Sequence, residues 1–158
     1  MRIMWRGFEL PARLAKDDAA SNETYGKFII EPFERGFGTT IGNSMRRVLL
    51  SSLEGAAVRS VRIQGASHEF SSIEGVLEDV TDIILNVKRV VISADLGEAV
   101  TTVHVSREKA GEIRAGDIEA DAGIEVVNPE QLICTLTSNV SFKLEMKVGM
   151  GRGYAPAD

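Results

Sequence analysis

The stretch Val140-Ser141-Phe142-Lys143-Leu144-Glu145-Met146-Lys147-Val148 alternates apolar and polar residues without a break. Successive side chains of an extended strand point to opposite faces, so Val140, Phe142, Leu144, Met146 and Val148 share one side while lysine and glutamate take the other. Such a pattern fits a strand with one face on an apolar core and the other in water, and it commits the chain to sheet partners over the same core. Partners are available. Residues 56–63, 89–92, 100–105, 124–127 and 132–136 are apolar or alternating runs, with Gly97, Gly116 and Gly123 in the turns between them.

Two stretches break from this strand pattern. Ile41, Met45, Val48 and Leu49 recur at the three- and four-residue steps of an amphipathic helix over 39–52, which Thr39 or Thr40 can cap and which Gly55 follows. Val76, Val80, Ile83, Ile84 and Val87 mark a second helix over 76–88, with Glu78, Asp79 and Asp82 early and Lys88 and Arg89 at its end, as the helix dipole favours. Before the first helix, residues 24–31 read as a strand stopped by Pro32, residues 5–11 as extended, and residues 16–22 as a loop. The expected fold is α+β in two subdomains. A strand-loop-helix part joins, near Gly55, a mainly antiparallel sheet part with one helix.

Arg46 and Arg47 are adjacent on the first helix, so a rotation of about 100° per residue keeps them from both occupying the centre of one face. A solvated flank and an interface arginine are both open readings for them. Leu50 favours contact, because it falls off the main stripe and beside the arginines, where a monomer would place a polar residue.

The quoted residues extend into longer motifs. Phe33-Glu34-Arg35-Gly36-Phe37-Gly38-Thr39-Thr40-Ile41-Gly42-Asn43-Ser44-Met45-Arg46-Arg47-Val48-Leu49-Leu50-Ser51-Ser52 closely resembles the first helix and preceding loop of bacterial DNA-directed RNA polymerase alpha subunits. The resemblance continues through Glu54-Gly55-Ala56-Ala57-Val58, His68-Glu69-Phe70-Ser71, Gly75-Val76-Leu77-Glu78-Asp79-Val80-Thr81-Asp82-Ile83-Ile84-Leu85-Asn86-Val87-Lys88 and Gly151-Arg152-Gly153-Tyr154-Ala155-Pro156-Ala157.

In that family the alpha subunit is an assembly platform. The resemblance implies a homodimer of alpha subunits that recruits the beta and beta-prime subunits, where the polymerisation chemistry and its magnesium reside. Carried over by motif, Arg47 is expected to contact beta, and Leu50, Asp82 and Lys88 to line large-subunit contacts. Ile41, Met45, Val48 and Leu49 are expected to pack within the dimerisation domain. Residues 1–54 then correspond to the first part of a discontinuous dimerisation domain and 55–158 to the sheet-rich insert. The returning part of the dimerisation domain and the C-terminal DNA-binding domain have no counterpart in these residues. The resemblance therefore also implies that this stretch alone does not form the family's dimer. The turn Thr137-Ser138-Asn139 has no acidic residue, unlike some relatives, so activator contact is not expected there.

Composition narrows the chemistry. The net charge of -5 gives no basic field for phosphate backbones, so direct nucleic-acid binding is not expected. Cys134, the single cysteine, lies in an apolar run and reads as a buried thiol, consistent with a cytoplasmic setting. No apolar segment is long enough to span a membrane, and residues 1–6 lack the apolar core of a signal peptide. His68 stands near Glu69 with only His104 elsewhere, so no metal site or cofactor is expected. No nucleophile motif and no aspartate triplet for catalytic magnesium occurs, so no catalytic residue is assigned. Two rival readings remain. One is a small enzyme binding an anionic substrate at the glycine loop with Arg46 and Arg47, although Gly36, Gly38 and Gly42 do not match G-x-G-x-x-G. The other is a dimeric scaffold unrelated to transcription.

Overall fold

The computed structural model describes residues 3–156 apart from Glu23, Glu98, Asp121 and Ala122. Ala157 of the closing motif and Asp158 therefore lie outside the described residues. The chain divides into two units, Met1–Ser52 and Leu53–Asp158.

In the first unit, strands β1 (Ile3–Trp5) and β2 (Phe8–Leu10) pair antiparallel. The turn between them needs left-handed backbone twice, and it places Arg6 at φ 47° and Gly7 at φ 89°. Strands β3 (Arg13–Lys16) and β4 (Phe28–Glu31) form a second antiparallel pair. Strand β4 begins at Phe28 rather than the expected Thr24. The Asn22 side chain accepts hydrogen bonds from the Thr24 and Tyr25 amides at 2.9 and 2.7 Å, folding that segment into a turn instead.

Helix α1 (Phe37–Ser52) follows, and it starts before the threonines expected to cap it. Gly36 at φ 89° reverses the chain, Phe37 N–H donates to the Glu34 carbonyl at 3.0 Å, and the Phe37 ring meets that of Phe8 at 5.4 Å. Thr39 and Thr40 thus lie inside the first turn. Gly55 has no capping role either, since it sits within a strand opposite Gly151.

In the second unit, the alternating stretch becomes the central strand of a three-stranded antiparallel sheet. Its strands, β5 (Glu54–Ile63), β7 (Val100–Arg107) and β11 (Phe142–Arg152), run in the order β5-β11-β7. Phe142, Leu144, Met146 and Val148 are buried, Val140 is half-buried just before the strand, and Lys143, Glu145 and Lys147 are exposed, as the alternation predicts. Two smaller antiparallel pairs complete the unit: β6 (Ile92–Ala94) with β9 (Ile124–Val126), and β8 (Gly111–Arg114) with β10 (Leu132–Leu136). With helix α2 (Val80–Val87) they enclose one core, in which Ile83, Val103, Ile113, Ile133, Leu144 and Met146 are fully buried. Each such side chain contributes about 1.5–3 kcal/mol by leaving water.

Helix α2 is shorter than the expected 76–88. Val76 bridges to Leu136, Leu77 N–H donates to the Thr135 carbonyl, and the Glu78 carboxylate accepts from Thr135 N–H and Oγ1 at 2.7 and 3.0 Å. These residues lie along β10 as an added edge, so helix begins only after Asp79, whose side chain caps it by accepting from Asp82 N–H at 2.7 Å. Gly75 makes this path possible. Its φ is 80°, and a Cβ there would lie 2.6 Å from Val140 Cγ1 and 2.8 Å from Ser138 Oγ. Residues 89–91, expected as strand, instead continue the α2 exit, held by Asn128, which accepts from Val91 N–H and donates to the Arg89 carbonyl. Cys134 is fully buried, and burial first, then the charge of Glu78, pushes its thiol up to about 12. A thiol held protonated in this way is chemically quiet.

Candidate interaction site

Helix α1 has no buried residue. Met45, Val48 and Leu49, the stripe that amphipathic spacing assigns to a core, are 45, 57 and 53% exposed, while Ile41 is half-buried. The described residues of its own unit do not cover the stripe. Leu50 is 64% exposed, three residues after Arg47 and four after Arg46, so these three side chains neighbour one another on the helix surface. Neither arginine has an ion-pair or hydrogen-bond partner for its guanidinium among the described residues. The helix's own polar residues bond inward, Ser44 Oγ to the Thr40 carbonyl and Ser51 Oγ to that of Arg47, leaving the apolar and arginine faces without competition.

On α2, Val80, Ile83 and Val87 face the core, and Asp82 and Lys88 are exposed. Lys88 is the residue that ends the helix, its N–H bonding the Ile84 carbonyl. Between Asp82 and Lys88, at three-residue steps from each, stands Leu85, 51% exposed. The three make a slanting stripe with an apolar centre and opposite charges at its ends. Sequence reasoning passed over Leu85, although it carries the signal that singled out Leu50, an apolar residue off the buried face. The His68–Ser71 motif is tied to this helix: Thr81 Oγ1 donates to the Glu69 carbonyl and Val80 N–H to that of Ser71.

The glycine loop does not build an anion cradle. A Cβ placed at Gly36, Gly38 or Gly42 would meet no described atom within 4 Å, so that backbone stands in open space. An open depression of about 770 Å³ lies on the β3–β4 hairpin, lined by Arg13, Ala15, Ile29, Glu31, Pro32 and Phe33, and it takes in neither Arg46 nor Arg47. Among the described residues no three histidine, cysteine or carboxylate groups converge as a metal site. No described helix is long and apolar enough to cross a membrane.

What the two units define is an α+β protein whose distinctive features are open faces rather than an enclosed site. The sequence model of the RNA polymerase Rpb3/RpoA insert domain matches residues 61–158, and the chain belongs to that family. Among curated relatives, the DNA-directed RNA polymerase subunit alpha of Rhodopirellula baltica is 53% identical over 157 residues, covering 99% of this chain and 47% of the relative. That of Geobacter metallireducens is 51% identical, with 98 and 45% covered, and that of Nitratidesulfovibrio vulgaris 48%, with 98 and 44% covered. The chain thus spans less than half the length of the curated relatives it matches.

Proposed function

We propose that this chain is the assembly-forming part of an RNA polymerase alpha subunit, a non-catalytic scaffold that dimerises and recruits the beta and beta-prime subunits in the cytoplasm. The observation that carries this reading is α1, a helix of 16 residues with an exposed apolar stripe and two arginines whose guanidinium groups have no partner among the described residues. Exposed apolar surface with an arginine rim is what a protein interface uses, because the apolar centre supplies burial and the planar guanidinium supplies directed hydrogen bonds. In this reading Ile41, Met45, Val48 and Leu49 are covered by the second alpha subunit and the rest of the dimerisation domain. Arg47 and Leu50 meet beta, and the Asp82-Leu85-Lys88 stripe meets a large subunit. Residues 1–54 belong to the dimerisation domain and 55–158 to the insert. The chain needs no cofactor of its own and binds no nucleic acid directly, the catalytic magnesium belonging to the large subunits. Affinity-tagged full-length protein expressed in its native cells is expected to bring down both large polymerase subunits. A folded protein that recovers neither overturns the proposal.

A further inference from the structure

The solvent face of the three-stranded sheet has a charge pattern that the assembly role does not use. Directly paired residues on antiparallel strands share a face, so the register places Lys143, Glu145, Lys147 and Gly149 of β11 beside Arg62, Ser60 and Ala57 of β5 and beside Ser106, His104, Thr102 and Val100 of β7. A register shift at Lys147/Val148 leaves Arg59 unpaired on the same face. Its side chain lies across Gly149, where a Cβ would come within 2.9 Å of Arg59 Cδ, and Val100 lies on the far side of that same glycine. Gly149 is thus the gap through which the arginine crosses the central strand.

On an ordinary solvated sheet, cations tend to stand opposite carboxylates. Here Lys147 is flanked by Ser60 and Thr102, Lys143 faces Ser106, and Arg59, Lys143 and Lys147 have no side-chain partner among the described residues. Glu145 pairs loosely with Arg62 at 3.8 Å, and Glu119 reaches His104 at 3.0 Å. This happens in a chain where acidic residues outnumber basic ones 23 to 18, so the lane is a local positive region on an acidic molecule.

We infer that this sheet face, with Arg59, Lys143 and Lys147 as its anchors, docks an extended acidic segment of a protein partner. Lys143 and Lys147 stand four residues apart on β11, about 13 Å along the strand, with Glu145 between them. An extended peptide therefore matches the lane when its carboxylates fall four residues apart and an uncharged residue faces Glu145. The small side chains beside the cations, Ser60, Ala57 and Thr102, let a peptide backbone approach. Nucleic acid fits less well. A phosphate backbone is charged at every nucleotide and cannot place a neutral unit over Glu145, between Lys143 and Lys147, as a peptide can, and the face presents no phenylalanine, tyrosine or tryptophan on which bases could stack.

The test is fluorescence anisotropy of a labelled ten-residue peptide with glutamate at every fourth position and threonine elsewhere, titrated with the whole chain at low and at physiological salt. Saturable binding that weakens with salt is expected, with at least a tenfold loss in the double variant Arg59→Glu, Lys147→Glu. Because Arg59 packs on the sheet, Lys143→Glu, Lys147→Glu serves as a second variant that leaves that packing intact, and thermal unfolding checks each fold. Lys109→Glu, a charge reversal off this face, should bind as the parent does. Absence of saturable binding, or binding insensitive to both double variants, overturns the inference. So does tighter, lane-dependent binding of a single-stranded oligonucleotide of equal length.

Discussion

Helices α1 and α2 are both amphipathic, yet the longer one buries nothing and the shorter one buries Val80, Ile83 and Val87. The difference lies in what the chain provides around each. Around α2, strand β10 offers a wall to which Glu78 and Asn86 are hydrogen-bonded, the latter donating to the Ile133 carbonyl at 3.1 Å. Around α1, the described residues offer the Phe8 ring near its start and little along its length. An apolar stripe is a requirement for a partner, and only the fold says whether that partner belongs to the same chain.

The largest effect that could break this comparison is in α2. Ile83→Ala removes a fully buried side chain, and a loss of about 2–5 kcal/mol is expected in urea unfolding. A loss comparable to that of a surface change would mean that α2 is not a core element. Next comes binding. Arg47→Ala, made in the full-length protein, is expected to weaken recovery of beta by about 2 kcal/mol, since truncating an interface arginine strands its partner's acceptors. Stability should hold, because the side chain has no ion-pair or hydrogen-bond partner among the described residues. Arg46→Ala, rotated about 100° away, should weaken recovery of beta less. Smallest is Leu49→Ala, expected to change the unfolding of this chain by about 0.5 kcal/mol or less because the side chain is already half in water.

Much of the sheet was legible because period-two alternation needs no tertiary information: the buried face of β11 follows from its sequence. The start of α2 was not. Val76 sits in helical register with Val80, and it is the long-range pairing of Val76, Leu77 and Glu78 with Thr135 and Leu136 that holds the segment extended. Local periodicity cannot register a contact 57 residues away. Strand β8 escaped for the opposite reason, since Gly111-Glu112-Ile113-Arg114 has one large apolar residue and forms a strand only because β10 lies beside it. For the interaction site, Leu50 stood out as an apolar residue among arginines. Leu85 did not, because a helix expected to begin at Val76 is apolar enough to absorb one more leucine. The lane on the sheet was hidden entirely, as Arg59 joins Lys147 only through strand pairing and a bulge.

Amide hydrogen exchange over residues 37–52 and 80–87, in the chain alone and after assembly of the full-length protein with beta, compares the two helices in one experiment. Elements with few buried contacts open locally at low free energy, so α1 should exchange well ahead of α2 in the chain alone and slow by about tenfold or more on assembly, with α2's core-facing amides already slow in both states. An α1 as protected as α2 in the isolated chain, or one whose exchange is unchanged when beta is bound, would contradict the assignment of its open face to a partner.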